Sequence, residues 1–181
     1  MCSSDLDGRS LRRTFLRSPV KYSRITSRFS KRRLHPVLKK WRAHKGVDYA
    51  GPTGTPVLAT AHGRVAQIGN QGGYGKTVVL KHGGTYRTLY AHLSRYPKGL
   101  RRGSSVRQGQ VIGYIGSTGL ATGPHLHYEF RVNGVHRDPL QFKQTPAAPI
   151  HPEKREAFLA HAASLVAQLD AVSPQAVALA D

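Results

Sequence analysis

The sequence predicts an all-β fold, a sandwich or barrel, followed by one C-terminal α-helix. Between residues 57 and 132, short runs rich in Val, Ile, Thr and Tyr alternate with turns marked by glycine, the pattern of many short strands in a closed or two-layered β protein. Phe130-Arg131-Val132-Asn133-Gly134-Val135-His136 sets Asn-Gly between two such runs, which suits the type I′ turn that matches strand twist. After a Pro- and Ala-rich stretch at 144–152, the period changes. Phe158, Ala162, Leu165, Val166 and Leu169 then form one stripe over 153–171, as on an amphipathic helix.

The chain opens with Met1-Cys2-Ser3-Ser4-Asp5-Leu6 and runs abruptly into Asp7-Gly8-Arg9-Ser10, which reads as a turn between strands. Residues 1–25 are therefore expected to be the remnant of a preceding region of a longer protein. Residues 26–143 are expected to be the main domain, and 144–181 a linker and helix. Across 8–43, Phe15, Leu16, Val20, Tyr22, Ile25 and Phe29 can supply short strands. The cluster Lys31-Arg32-Arg33-Leu34-His35-Pro36, with Lys39-Lys40-Trp41-Arg42, is expected to be a loop. It is either a solvated basic rim or the wall of a groove for an anionic or carboxylate-bearing polymer. In the next stretch Gly46, Gly51, Pro52 and Gly54 argue against a helix, so His44 is expected on a loop entering a short strand that carries Asp48. Strands are expected at 57–60, 64–68, 76–82, 86–93, 106, 110–115 and 127–132. Pro152 can open the helix, with Glu153 and Glu156 in its first turn, and its apolar stripe is expected to dock on the domain or, failing that, on a partner.

The chemistry centres on Gly123-Pro124-His125-Leu126-His127-Tyr128-Glu129-Phe130. A Gly-Pro turn leads into alternating polar and apolar residues, a half-buried strand. His125, His127 and Glu129 share one face and Leu126, Tyr128 and Phe130 the other. Of the ten histidines, His35, His62, His82, His136, His151 and His161 read as loop, turn or tail residues. His44, His92, His125 and His127 have better claims. Between Asp7 and Glu129 the one acidic residue is Asp48, four positions after His44. A catalytic zinc takes three protein ligands and leaves a position open. His44, Asp48 and one of the pair His125/His127 can form such a set. Zinc can bring the pKa of bound water to about 7, while amide hydrolysis still needs a general base and oxyanion stabilisation. His92 and the other member of the pair can supply those. Glu129 competes as a ligand, and is otherwise a group behind the ligands or half of a surface ion pair.

The formal charge of +19, from 28 basic and 9 acidic residues, points to anionic partners without choosing among them. Nucleic acid is set aside because no RNA- or DNA-binding signature accompanies the charge. The single Cys2 excludes an internal disulfide framework and a cysteine zinc knuckle. No apolar run reaches the length of a membrane span, and arginines break the stretch from Leu11 to Val20, which therefore does not read as a signal peptide.

Three spaced motifs, His44-Lys45-Gly46-Val47-Asp48, Leu89-Tyr90-Ala91-His92-Leu93 and Gly123-Pro124-His125-Leu126-His127, resemble the lysostaphin/LytM-type zinc metallopeptidases that cut the peptide part of peptidoglycan. Gly54-Thr55-Pro56-Val57, Gly72-Gly73-Tyr74-Gly75 and Val106-Arg107-Gln108-Gly109-Gln110-Val111-Ile112-Gly113 fit as well, so the resemblance spans about residues 27–142. It implies a compact antiparallel β-sandwich with a substrate groove across one sheet. It implies one Zn2+ per chain on His44, Asp48 and His127, with His92 and His125 as the non-ligand catalytic pair. The basic entry is most similar to Gram-negative envelope members, which implies a periplasmic enzyme acting on D-Ala–diaminopimelate cross-links of peptidoglycan stems, with a membrane anchor in a further N-terminal region. Some members place a tyrosine shortly before the first ligand; this chain offers Trp41 there.

Three other readings are weaker. Non-catalytic relatives that activate cell-wall amidases have lost metal ligands, whereas all five positions are filled here. A biotinyl/lipoyl-type carrier needs a lysine at a hairpin tip and has no use for His-x-His. Nucleic-acid binding rests on charge alone. Fourteen of the 28 basic residues lie in 1–45, and exposed charges are screened beyond about 8–10 Å at physiological salt. Binding to purified sacculi is therefore expected to weaken from low to high salt, with less change in turnover of a short soluble peptide. Pelleting assays across a salt series check this, and salt-independent binding would refute it.

Overall fold

The computed structural model describes residues 14–21, 23–34, 40–142 and 151–177. Its strands are β1 (Arg24–Ser27), β2 (Ser30–Leu34), β3 (Trp41–His44), β4 (Val47–Ala50), β5 (Pro56–Leu58) and β6 (Gly63–Asn70). They continue as β7 (Lys76–His82), β8 (Tyr86–Arg95), β9 (Ser105–Val106), β10 (Val111–Ile115), β11 (His125–Val132) and β12 (Val135–Arg137). One helix follows, α1 (Pro152–Val177). Every strand pairing among the described residues is antiparallel.

The main sheet runs β1-β4-β11-β8-β7-β6-β9, with β12 paired to β11. β10 pairs with β5 and with the far end of β8. Alternation explains the packing. Val47 and Tyr49 of β4, Leu126 and Tyr128 of β11, Tyr90 of β8 and Val78 and Leu80 of β7 share one cluster with Val57 of β5 and Ile112 and Ile115 of β10. One sheet face is thus covered by the β5–β10 pair, as expected of a sandwich. The opposite face of β4 and β11 is left to Asp48, His125, His127 and Glu129. Inside the core, the Tyr90 hydroxyl meets Thr60 Oγ1 (2.9 Å) and Thr88 Oγ1 (3.1 Å), and the Tyr128 hydroxyl meets Thr60 Oγ1 (3.1 Å). These buried hydroxyls are paired, which removes the cost of desolvating them. The β11–β12 hairpin turns on Asn133 (φ 49°) and Gly134 (φ 80°), the two positive φ values of the expected type I′ turn.

Two expectations are corrected. The basic cluster is not a loop: Ser30–Leu34 and Trp41–His44 pair as a separate two-stranded sheet, with Arg33 opposite Arg42 and Leu34 opposite Trp41. Charge-rich composition suggested solvent-exposed coil, yet charged side chains also suit a short exposed edge. Residues 35–39 lie outside the described residues. His44 is accordingly the last residue of a strand, not part of a loop.

By its contacts the chain divides into Phe15–Lys143 and a second unit that includes α1. The sequence reading placed the N-terminal boundary after residue 25. Phe15 and Val20 are nevertheless buried in the first unit, Phe15 against Phe130 and Phe142. The helix extends past the expected end at 171, and Leu165 and Leu169 of its stripe are 45% and 70% exposed. No helix among the described residues is long and apolar enough to cross a membrane. A chain ending at Gln144 is expected to keep one cooperative unfolding transition, with Tm lowered by less than about 4 °C. Calorimetry checks this, and loss of the transition would make the helix part of the core.

Candidate metal centre

Register builds the centre. β4 and β11 pair with His127 directly opposite Asp48, so the two side chains rise side by side from one face. The Lys45-Gly46 connection then brings His44, at the end of β3, over the same spot. His44 Nε2 lies 3.0 Å from Asp48 Oδ1 and 3.1 Å from His127 Nδ1, and His127 Nδ1 lies 2.8 Å from Asp48 Oδ1. All three residues are buried. The approach depends on Gly46, where a Cβ would stand 2.4 Å from the Tyr128 carbonyl oxygen and 2.8 Å from His127 Cε1.

Hydrogen bonds on the outer nitrogens orient both rings. His44 Nδ1–H donates to the Arg28 carbonyl (2.8 Å), and His127 Nε2–H faces Glu129 Oε1 (3.3 Å). The remaining nitrogens, His44 Nε2 and His127 Nδ1, therefore turn their lone pairs toward one Asp48 oxygen. Three acceptors converging in a buried spot repel one another unless a cation or proton sits among them. Burial alone would raise the Asp48 carboxyl, but hydrogen bonds and charge from His127 and His44 hold it far below the usual range. Burial alone would lower His127, yet Asp48 and Glu129 raise it. The donor set suits zinc, whose bonds of about 2.0–2.1 Å in a tetrahedral shell set ligand atoms about 3.3 Å apart. These are the residues that could hold a metal ion.

Glu129, weighed above as a competing ligand, stands behind His127 instead. It is 0% exposed. Its Oε1 accepts from Tyr74 O–H (2.7 Å) and from His127; its Oε2 accepts from Arg131 Nε (3.0 Å), from Arg131 Nη2 and from His136 Nε2 (3.0 Å). Burial would raise its carboxyl, but the donors from His127, Tyr74 and Arg131 lower it to about 2. With its lone pairs committed, it serves to orient His127, as carboxylates behind metal-binding histidines do. Sequence reasoning missed Tyr74, Arg131 and His136 here. Arg131 was within reach, two residues on along the same strand face, and His136 sits opposite it across the hairpin. Tyr74 comes from a one-turn helix between β6 and β7, and no periodicity announces its direction. His82, by contrast, is a satisfied core residue, bonded to the His62 carbonyl (2.7 Å) and Thr88 Oγ1 (2.8 Å).

His92 lies within β8, not at its end as the strand pattern suggested. Strict alternation would put it on the core face with Tyr90. The register shifts between Lys76 and Val78 on the neighbouring strand, and His92 itself has φ 60°, an uncommon left-handed conformation for a residue with a Cβ. This bulge resets the alternation, so Leu93 enters the core and His92 joins the polar face. His92 Nδ1–H donates to the Thr118 carbonyl (2.7 Å) and His125 Nδ1–H to the Gly123 carbonyl (2.8 Å), leaving both Nε2 atoms as acceptors. The two ring centroids are 4.7 Å apart, and His125 Nε2 is 4.0 Å from Asp48 Oδ1. Burial chiefly, helped by His125 and His127, lowers the His92 pKa to about 4, so its imidazole is neutral near pH 7.

All five predicted residues thus line one groove of about 790 Å³, together with Arg33, Arg42 and Tyr74. Arg33 Nη2 lies 3.5 Å from Asp48 Oδ2. Trp41 is 62% exposed with Arg32 over its ring.

Residues 42–139 match Peptidase family M23. The chain belongs to that family. It is 41% identical to the peptidoglycan DD-endopeptidase ShyC of Vibrio cholerae over 93% of its own length and 39% of ShyC. It is 49% identical to the DD-carboxypeptidase/endopeptidase Mpg of Neisseria meningitidis over 75% of its length and 31% of Mpg. The chain therefore spans between 31% and 39% of these relatives. Among solved structures, a zinc-containing peptidase from Vibrio cholerae superposes with TM-score 0.67 at 38% identity, over 76% of this chain and 44% of that one. The catalytic domain of lysostaphin from Staphylococcus simulans gives TM-score 0.58 at 33% identity, over 65% and 90%. The M23 fold accounts for the sheet architecture described above.

The close approach at Gly46 generates a test. Gly46→Ala is expected to displace His127 and weaken zinc binding at least about tenfold. Gly84→Ala, where an added Cβ meets nothing within 4 Å, should bind as the parent does. Competition with a fluorescent chelator reads both; equal affinity in the Gly46 variant would refute the steric argument.

Proposed function

We propose that this M23 chain is a zinc-dependent endopeptidase that hydrolyses peptide cross-links of bacterial peptidoglycan, with D-Ala–diaminopimelate bonds as the scissile linkage. The observation that carries the reading is the meeting, in one groove, of the His44–Asp48–His127 acceptor triangle with two further imidazoles whose Nε2 atoms are free to accept protons. In this reading His44, Asp48 and His127 hold one zinc per chain. The names of the relatives support the substrate class.

Zinc, when bound, supplies the Lewis acidity that makes water a competent nucleophile near neutral pH. The remaining work falls to the chain. Glu129 fixes the His127 ring, and the Arg28 carbonyl fixes His44. Arg33 engages the outer Asp48 oxygen, leaving Oδ1 directed at the centre. His92 and His125, held by the Thr118 and Gly123 carbonyls, orient the attacking water and accept its proton at Nε2, and the Nε2–H so formed donates to the developing oxyanion. Such groups contribute about 10²–10⁴ in rate.

The amidase-activator reading is disfavoured because all five positions are filled and spatially assembled. The setting consistent with the named relatives is the Gram-negative periplasm, with stem peptides as partner and any membrane anchor carried by a further N-terminal region. His127→Ala is expected to lose both zinc and activity. His125→Ala and His92→Ala should keep about one zinc per chain while losing activity by about 10²-fold or more. Elemental analysis, circular dichroism and release of soluble muropeptides from sacculi provide the readouts. Retention of zinc by His127→Ala together with its loss from His125→Ala would reverse the assignment. No cleavage of sacculi or purified dimers by zinc-loaded parent protein would end the endopeptidase reading.

A further inference from the structure

We propose that Arg33, Arg42 and Lys45 form a carboxylate-binding subsite in the groove, selecting peptides with a free carboxylate near the scissile amide; this rests on the endopeptidase reading. Arg33 of β2 and Arg42 of β3 are directly opposed in register, so their side chains leave from one face. Like charges directly opposite each other destabilise a strand pair, and here they occur in a two-stranded sheet that is separate from the main one. Both residues and Lys45 line the same groove as the metal centre.

The charge of Arg42 and Lys45 is not consumed internally, and that of Arg33 only in part. Among the described residues, the carboxylates that form ion pairs are Asp48, Glu129 and Glu153, and neither Arg42 nor Lys45 is a partner of any of them. Arg33 meets Asp48 through one nitrogen at 3.5 Å, with its other terminal nitrogen on Ser27 Oγ. That is not the bidentate fork an arginine makes with a fully engaged carboxylate. The groove's own acids, Asp48 and Glu129, face His44 and His127 and the Tyr74–Arg131–His136 donors respectively. Leu120, Thr122, Gly123 and Pro124, which also line it, carry no charge. The positive charge is thus concentrated on the β2–β3 side, so an anion on the substrate would fix both its register and its direction. A carboxylate fits a guanidinium pair better than a neutral amide does, because each oxygen can accept from a fork.

Two sources share this chemistry: the side-chain carboxylate of a diamino-dicarboxylic residue and the C-terminal carboxylate of a stem. Cross-linked muropeptide dimers separate them when prepared in free form, amidated at the side-chain carboxyl, or amidated at the C-terminus. Zinc-loaded parent protein is expected to show kcat/KM lowered at least about tenfold for one amidated form, mainly through KM, and that form names the source. Arg42→Gln should bring the free-to-amidated ratio to within about twofold of one at unchanged zinc content, and Arg42→Lys should restore part of the ratio. Equal cleavage of all three dimers by the parent protein, or full discrimination by Arg42→Gln, overturns the subsite. Cleavage of none overturns the endopeptidase reading and the subsite with it.

Discussion

The pairing of β4 with β11, with Asp48 opposite His127, is the constraint on which the rest depends. Side chains alternate with period two, so a slip of one residue would send every polar group of β11 into the core and every apolar one out. The register is held by the reverse side of the same strands. Val47 and Tyr49, like Leu126 and Tyr128, are buried in the main cluster, and a slip would expose them. Burial of large apolar side chains is worth about 1.5–3 kcal/mol each. The apolar face therefore fixes the position of the metal face without contributing an atom to it.

That division explains what the sequence made legible. Asp48, His125 and His127 could be placed because regular strand alternation describes them; His44 could be named as a candidate, but its place at the end of a strand was not read. His92 could be named, but its route to the site could not be read. Its arrival depends on a bulge with positive φ, and alternation puts it on the wrong face. The β2–β3 sheet was hidden for another reason. Its charged, largely exposed side chains give no apolar period, and composition reads such a segment as coil. Tyr74 was hidden because its contribution follows from a tertiary turn with no local pattern. The irregular or highly charged parts of the fold are thus where local rules stop, and several of them serve the site.

The centre also carries opposing electrostatic demands. In a chain of +19, two carboxylates are sunk among histidines on one sheet face. Each would be costly alone, since a buried charge without partners is strongly destabilising. Glu129 is made tolerable by four donor groups, and through His127 it reaches the centre. Asp48 has fewer donors of its own: Arg33 at one oxygen and His44 and His127 at the other. The histidine nitrogens satisfy it only while they carry a proton. A bound cation satisfies all three acceptors at once and frees that proton.

This asymmetry separates an acid satisfied by the fold from one that a bound cation would complete. Glu129 sits beneath the sheet face with its partners drawn from β11, β12 and the turn before β7, all within the main sheet or its direct connections. Its hydrogen bonds come entirely from side chains of the fold, and one of them holds the His127 ring at Nε2. Asp48 and His44 are completed from the β2–β3 side, through Arg33 and the Arg28 carbonyl. That side belongs to a short, separately paired sheet with exposed charges, the kind of element with little buried apolar surface to stabilise it. In the proposed zinc-bound form, a metal held by His44, Asp48 and His127 would tie β3 to β4 and β11, on the side where the fold buries least apolar surface.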